Sequence, residues 1–370
     1  MILIVGGGIV GLSTAYWLTR RGHDVTVIEK GPIPCPTASS ADHHRLIRYP
    51  YGPREGYCLR ISEAFAAWRA MWADLGGAEA RYYAATGMLT LSQEAGDYAD
   101  LSRQVMERNA IPFERIDGIA ALSARFPFLE AANVSYGMLS EGGALMANRI
   151  LADLADWLRR AGVAVLEHTP VDAIDPERAS VTLGDGRTLS GETLIVAAGV
   201  GTLKLMPDLS VPLQPHRTMI AYAEPPEDLA EAYAAAPCWT DLGGNTDLWG
   251  MPAIDGLPMK LGNGTLGRTD PDDSDRTMTG DEAVRLLEGY RGRFRGVERF
   301  RVRWQQANYW TSAPDGDFVI ERVGKTTAVS ACSGHGFKFG ALSGRDVADA
   351  VTEAVPFDTV RDRMQGRIAA

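Results

Sequence analysis

The chain opens with MILIVGGGIVG, Met1 to Gly11, and the rest is best read outward from this stretch. Ile2 to Val5 form a short apolar run that enters a glycine turn. Leu12, Ser13, Thr14 and Ala15 then open a small-residue helix. Gly6, Gly8 and Gly11 carry the spacing G-x-G-x-x-G. The first glycine permits a tight turn, the second lets a pyrophosphate approach the backbone, and the third lets the helix pack close to the strand. A helix that starts here aims unpaired N–H groups and the positive end of its dipole at phosphate. The helix ends near Arg20, Arg21 and Gly22, and a second strand, Asp24 to Ile28, closes on Glu29. An acidic residue about 20 positions after the glycines is placed to hold a ribose hydroxyl. The stretch therefore predicts a dinucleotide site and leaves the dinucleotide open.

Beyond Glu29 the chain runs into a long Pro-rich polar connection, residues 31–56, and long connections in compact folds are usually functional. An amphipathic helix is expected from Tyr57 to Leu75, stopped by Gly76 and Gly77. Strands are expected at Gly87 to Leu91, Val163 to Leu166 and Thr193 to Ala198, with a hairpin over Ser180 to Leu189 turning at Asp185-Gly186. Asn148 reads as the cap of a helix from Arg149 to Arg160. The last strands are expected at Asp317 to Glu321 and Thr327 to Ala331, before a helix from Lys338 to Ala354.

The 370 residues carry a net charge of −10, which argues against nucleic acid as the partner. Cys35, Cys58, Cys238 and Cys332 have no paired or metal-ligand spacing, which suits a reducing compartment. No apolar run is long enough for a membrane span, and no charged leader precedes the first strand. The expected setting is cytoplasmic, as a monomer or small homo-oligomer, with no metal.

A second glycine cluster, SACSGHGFKF at Ser330 to Phe339, presents another helix start, now with a lysine. With it, the chain resembles the sarcosine oxidase group, FAD-dependent amine oxidases of the D-amino-acid oxidase and glycine oxidase superfamily. The resemblance rests on GGGIVG with Glu29, the basic loop Arg45-Leu-Ile-Arg48, LIVAAG ending at Gly199, and SGHGFKF, all in the same order. It implies an α/β fold: a Rossmann-type FAD-binding domain with a discontinuous, mixed-sheet substrate domain. Residues 1–84, 148–215 and 306–370 would form the first, and 85–147 and 216–305 the second.

The resemblance also implies roles. Gly6, Gly8, Ile9, Val10, Gly11, Glu29 and Lys30 would hold the ADP part of FAD. Ser39, His43 and His44 lie in the loop that crosses the cofactor, Val171 lies at the adenine, and Gly199 ends the strand beneath. Gly334, Gly336, Phe337 and Lys338 would face the flavin ring. Arg48 and Lys338 resemble a pair that binds a substrate carboxylate, with Tyr51 beside them. Arg45 resembles the arginine next to the flavin, Lys260 the lysine where O2 reacts, and His335 joins the catalytic candidates. Physical chemistry agrees: a carboxylate entering a closed pocket needs fixed positive charge, and a cation lowers the barrier to electron transfer onto O2.

Three positions depart from the group. Asn308 stands where the sarcosine oxidases have their flavin-linking cysteine, and Cys332 is expected to be buried, so FAD is expected to be noncovalent. Gly264 replaces a histidine, which is expected to open space. Trp249 and Trp310 replace pocket tyrosines, which suggests a substrate larger than an N-methyl glycine. The expected reaction is oxidation of a secondary or N-substituted amino acid to an imine, with O2 as acceptor. Attack at the α-carbon, a dehydrogenase with another acceptor, and a non-catalytic binding protein are the competing readings.

Overall fold

The computed structural model describes residues 1–130, 132–264, 267–269 and 277–367. The opening stretch forms the strand Ile2–Val5 and the helix Ile9–Arg20. This strand lies inside a six-stranded sheet, paired in parallel with Val25–Ile28 on one side and Thr193–Val196 on the other. Thr326–Ser330 continues the parallel run, and Val319–Val323 closes that edge antiparallel. All four residues of Ile2–Val5 are buried, as a strand covered on both faces requires. Gly6 adopts φ +116°, and a Cβ on Gly11 would lie 1.9 Å from the Gly6 carbonyl oxygen. Strand, turn and helix therefore meet only because both positions lack side chains.

A second, eight-stranded sheet begins with the long strands Arg301–Ser312 and Gln214–Glu224 and continues through Met259–Asn263, Leu248–Met251 and Cys238–Leu242. Its far side is Met88–Ser92, Tyr136–Ser140 and Phe113–Asp117. It is mixed, since Cys238–Leu242 runs parallel to Met88–Ser92 while its other pairs are antiparallel. Each large sheet has its own apolar cluster, one around Leu12, Trp68 and Leu342, the other around Trp239, Tyr290 and Phe294.

The connection over residues 31–56 is not structureless. Arg45–Arg48 is a strand, paired antiparallel with Gly142–Leu145 in a three-stranded sheet completed by Tyr83–Ala84. The expected cap at Asn148 is also different. The helix runs Ala147–Arg160 from a cap at Met146, so Asn148 lies inside it. Its side-chain oxygen accepts the Asp42 N–H at 2.9 Å, and its own N–H donates to the Asp42 carbonyl at 3.0 Å. Asn148 thus clamps the connection to a helix instead of capping one. The helix expected from Lys338 opens as a 3-10 turn, Phe337–Phe339, and continues as Gly340–Val351, and it is not the last element, since a further helix, Phe357–Met364, follows it.

Candidate active site

Two cavities of about 410 Å³ each meet at Ser39, Cys332, Gly336 and Phe337, which line both. The first runs along the opening turn. Gly6, Gly8, Ile9 and Val10 line it, with Glu29 and Lys30 from the end of the second strand, and Val171 and Gly199 from the returning segments. The helix Ile9–Arg20 enters it with no acidic residue in its first turn and no side-chain cap from Gly8. That leaves its positive end available to an anion. Glu29 is buried, and its two oxygens accept the Gly7 and Gly31 N–H groups at 2.7 and 3.0 Å. The carboxylate therefore also braces the glycine turn. Gly11 lies behind the wall as a packing residue, as described above.

The second cavity is lined by the strand Arg45–Arg48, the eight-stranded sheet and the turn that follows Thr326–Ser330, and it contains most of the remaining candidates: Arg45, Arg48, Tyr51, Trp249, Trp310, Gly334, His335 and Lys338. Asn308 and Gly264 line it as well. His43, His44 and Lys260 line neither cavity. Cys332, expected to be buried, is half-buried at the junction, and burial raises its thiol above the ordinary value.

A separation of three residues puts Arg45 and Arg48 on opposite faces of their strand, and their partners differ accordingly. Arg45 forms an ion pair with Asp42, which also pairs with the Lys260 ammonium. Tyr222 donates its hydroxyl to the same carboxylate at 2.5 Å, and Lys260 donates to the His44 carbonyl at 2.9 Å. The Asp42 and Lys260 side chains are both fully buried. Burial pushes the Asp42 carboxyl up, but the Lys260 and Arg45 cations outweigh that and hold it well below its ordinary value. Burial pulls the Lys260 ammonium down, and Asp42 offsets part of this. The His44 ring is buried with neither nitrogen hydrogen-bonded, and burial lowers its pKa to about 3, so it is neutral.

Arg48 donates to the Pro50 carbonyl and, at 2.6 Å, to the Tyr98 hydroxyl, and its guanidinium lies 4.5 Å from the Tyr51 ring centre. Lys338 donates to the His335 carbonyl at 3.1 Å. Neither cation forms an ion pair with any described residue. Burial, and then Arg48, lower the Lys338 ammonium well below its ordinary value. His335 is held at both ends: Nε2 lies 3.2 Å from the Gly316 carbonyl and Nδ1 3.2 Å from the Tyr51 hydroxyl. A carbonyl can only accept, so Nε2 carries the hydrogen and Nδ1 accepts from Tyr51. Burial lowers its pKa, and the ring stacks on Phe318 at 4.7 Å. A neutral imidazole committed at both nitrogens positions Tyr51 and the turn; it has no lone pair left for a substrate proton.

Asp42, Tyr222 and Asp247 were not singled out from the sequence, and Asn148 was read there only as a helix cap. Asp42 had one signal, an acid three residues before an arginine in ADHHR; Tyr222 and Asp247 had none.

Two joined cavities, a phosphate-type helix start at one end and buried cations at the other, define a flavin-type oxidoreductase. The chain belongs to the FAD dependent oxidoreductase family (DAO), whose model matches residues 1–350. N-methyl-L-tryptophan oxidase of Salmonella arizonae is 27% identical, with 98% of each chain covered. Monomeric sarcosine oxidase of a Bacillus species is 24% identical over 95% of this chain and 92% of its own. Among solved structures, NikD, an amino acid oxidase essential for nikkomycin biosynthesis, aligns with TM-score 0.79 at 20% identity, covering 96% and 94% of the two chains. L-proline dehydrogenase from P. horikoshii aligns with TM-score 0.83 at 18% identity, covering 99% and 96%. These two likenesses concern the fold. The donor set fits FAD: a glycine turn and helix start for the phosphates, an acid by the second strand, and a cavity continuing past Gly336 to a polar site. No helix among the described residues is long and apolar enough to cross a membrane, and they hold no cluster of metal-ligating side chains.

Proposed function

We propose that this FAD-dependent oxidoreductase is an amine oxidase of secondary or N-substituted amino acids. The observation that carries the reading is the pair Arg48 and Lys338, a half-buried and a buried cation in a cavity wall, neither of which forms an ion pair with any described acid. Buried charge without a partner costs several kcal/mol, on the order of 3–5 when a pair is broken. A carboxylate delivered by the substrate removes that cost, and the arginine fork orients it. Trp249 and Trp310 then form apolar walls for the substituent. FAD held along the opening turn would supply the oxidising chemistry, the two-electron oxidation of a carbon next to the amine nitrogen with O2 as final acceptor, so that the products are an imine, which water hydrolyses, and hydrogen peroxide. Hydride loss from such a carbon starts from a neutral amine, so the site needs no strong base.

Lys260 belongs to the oxygen half of this reaction. With Arg45 it outnumbers the single Asp42 carboxylate, which leaves one positive charge behind the wall formed by Trp249, whose ring centre is 5.4 Å from the ammonium. A Lys260→Met variant should slow reoxidation by O2 more than reduction by substrate; equal slowing removes the role. Asn308, and the raised thiol of Cys332, support noncovalent FAD. Acid precipitation should release the yellow cofactor, whereas colour retained in the pellet would locate a tether. For the reaction itself, an anaerobic screen should bleach the flavin with N-methyl amino acids, and air should then generate peroxide. Failure of every N-substituted amino acid to bleach it would end the proposal.

A further inference from the structure

The second cavity holds one more charged group that the proposed reaction does not use. Leu248–Met251 is a strand, so residues two apart share a face. Asp247, Trp249 and Met251 all line the cavity. Asp247 closes a loop that starts at Asp241, and Asp241, Asn245 and Asp247 have φ of 49°, 55° and 49°. Side chains rarely adopt this left-handed conformation, and such strain concentrates where a fold must aim a group. The loop is anchored on the cation site. Asn245 Oδ1 accepts the Tyr98 N–H at 2.9 Å, and the Tyr98 hydroxyl accepts from Arg48.

Gly264 was expected to leave open space. The structure fills that space with Asp247: a Cβ on Gly264 would lie 1.8 Å from its Oδ2. No hydrogen bond or ion pair joins the Asp247 carboxylate to any described residue; the charged groups near it are the Arg48 cation and, from its own loop, the Asp241 carboxyl. The cavity therefore presents a carboxylate near the place where a substrate carboxylate would sit on Arg48 and Lys338. A neutral substrate would desolvate Asp247 and give it nothing, while a second anion would be repelled.

We propose that Asp247 is a specificity residue that pairs with a positively charged nitrogen on the substrate, distinct from the amine that is oxidised, while Arg48 and Lys338 hold the carboxylate. The substrate class is then an N-substituted amino acid with an ammonium or guanidinium group on its far end. This assignment rests on the carboxylate reading above, and the test separates the two. The flavin absorbance of the holoenzyme is titrated with valerate and with δ-aminovalerate. The wild-type protein should bind the amino compound at least about tenfold more tightly, and Asp247→Asn should abolish the preference. Equal affinity in the wild type, or a preference that survives Asp247→Asn, overturns the role of Asp247 alone. If neither carboxylate perturbs the flavin, the carboxylate reading falls and takes this assignment with it. Should Asp247→Asn fail to fold, the wild-type enzyme decides: kcat/KM should favour N-methyl-lysine over N-methyl-norleucine by about tenfold, and parity refutes the proposal.

Discussion

Two pairs of cations share one four-residue strand and are treated in opposite ways. Each pair takes an arginine from Arg45–Arg48 and a lysine from a distant segment. Arg45 and Lys260 converge on Asp42, itself clamped by Asn148 and capped by the Tyr222 hydroxyl. Arg48 and Lys338 converge on a cavity and hydrogen-bond only to carbonyls and a phenol, with an aromatic face beside Arg48 and the Asp247 carboxylate near it but in no ion pair. The first pair is completed by the chain and contributes to its stability. The second is left incomplete, and the fold tolerates its cost so that an incoming anion has something to gain. Buried charge by itself is ambiguous; whether the chain supplies the counter-charge separates scaffold from site.

Removing the acid of the completed pair should have the largest effect. Asp42→Leu leaves two buried cations facing each other and should destabilise the protein by about 3–5 kcal/mol, read from denaturant unfolding. Lys338→Met, which removes a cation that has no acid, should leave stability unchanged or raise it. If the two variants cost the same, the contrast fails. Next comes the open pair. Arg48→Ala should keep FAD but weaken carboxylate binding by about a hundredfold, an order typical of truncating one side of a buried charged contact, read by flavin titration.

The smallest effects are in the pH dependence. Asp42 is depressed in the folded state, so its contribution is fully present above the ordinary carboxylate value of about 3.9 and is lost as pH falls below it. Lys338 behaves in the reverse sense. Its ammonium is depressed when no anion is bound, and a bound carboxylate raises it, so binding takes up a proton. Carboxylate affinity should therefore fall as pH rises above the depressed value, by up to about tenfold per unit. An affinity indifferent to pH would mean that Lys338 stays charged without an anion.

Much of the fold was legible from local pattern. The opening turn, its helix and the acid at Glu29 appear where their spacing puts them, because glycine geometry and strand-to-helix periodicity act over a few residues. The hairpin at Asp185-Gly186 forms for the same reason. Arg45–Arg48 was hidden as a strand because four residues of mixed polarity carry no period, and their partner, Gly142–Leu145, lies far along the chain. Asn148 looked like a cap because capping is a local habit of asparagine, yet a distant backbone group at Asp42 offered it two hydrogen bonds. His335 was legible as a member of the site, but not as a committed, neutral one. That depends on Gly316 and Tyr51, which the fold brings to its two nitrogens.

The sequence by itself determined the class of cofactor site and the residues able to carry charge. Glycine spacing, helix starts and the positions of Arg45, Arg48, Lys260 and Lys338 are properties of the chain as written. Only the tertiary structure decided which of those charges are spent internally and which remain available. It placed Asp42 between Arg45 and Lys260, sent Arg48 to the other face of the same strand, and set Asp247 in the space left by Gly264. The physical reason is range. Backbone conformation is set by neighbours in sequence, whereas the cost of a buried charge is set by whatever the fold packs within a few ångströms of it.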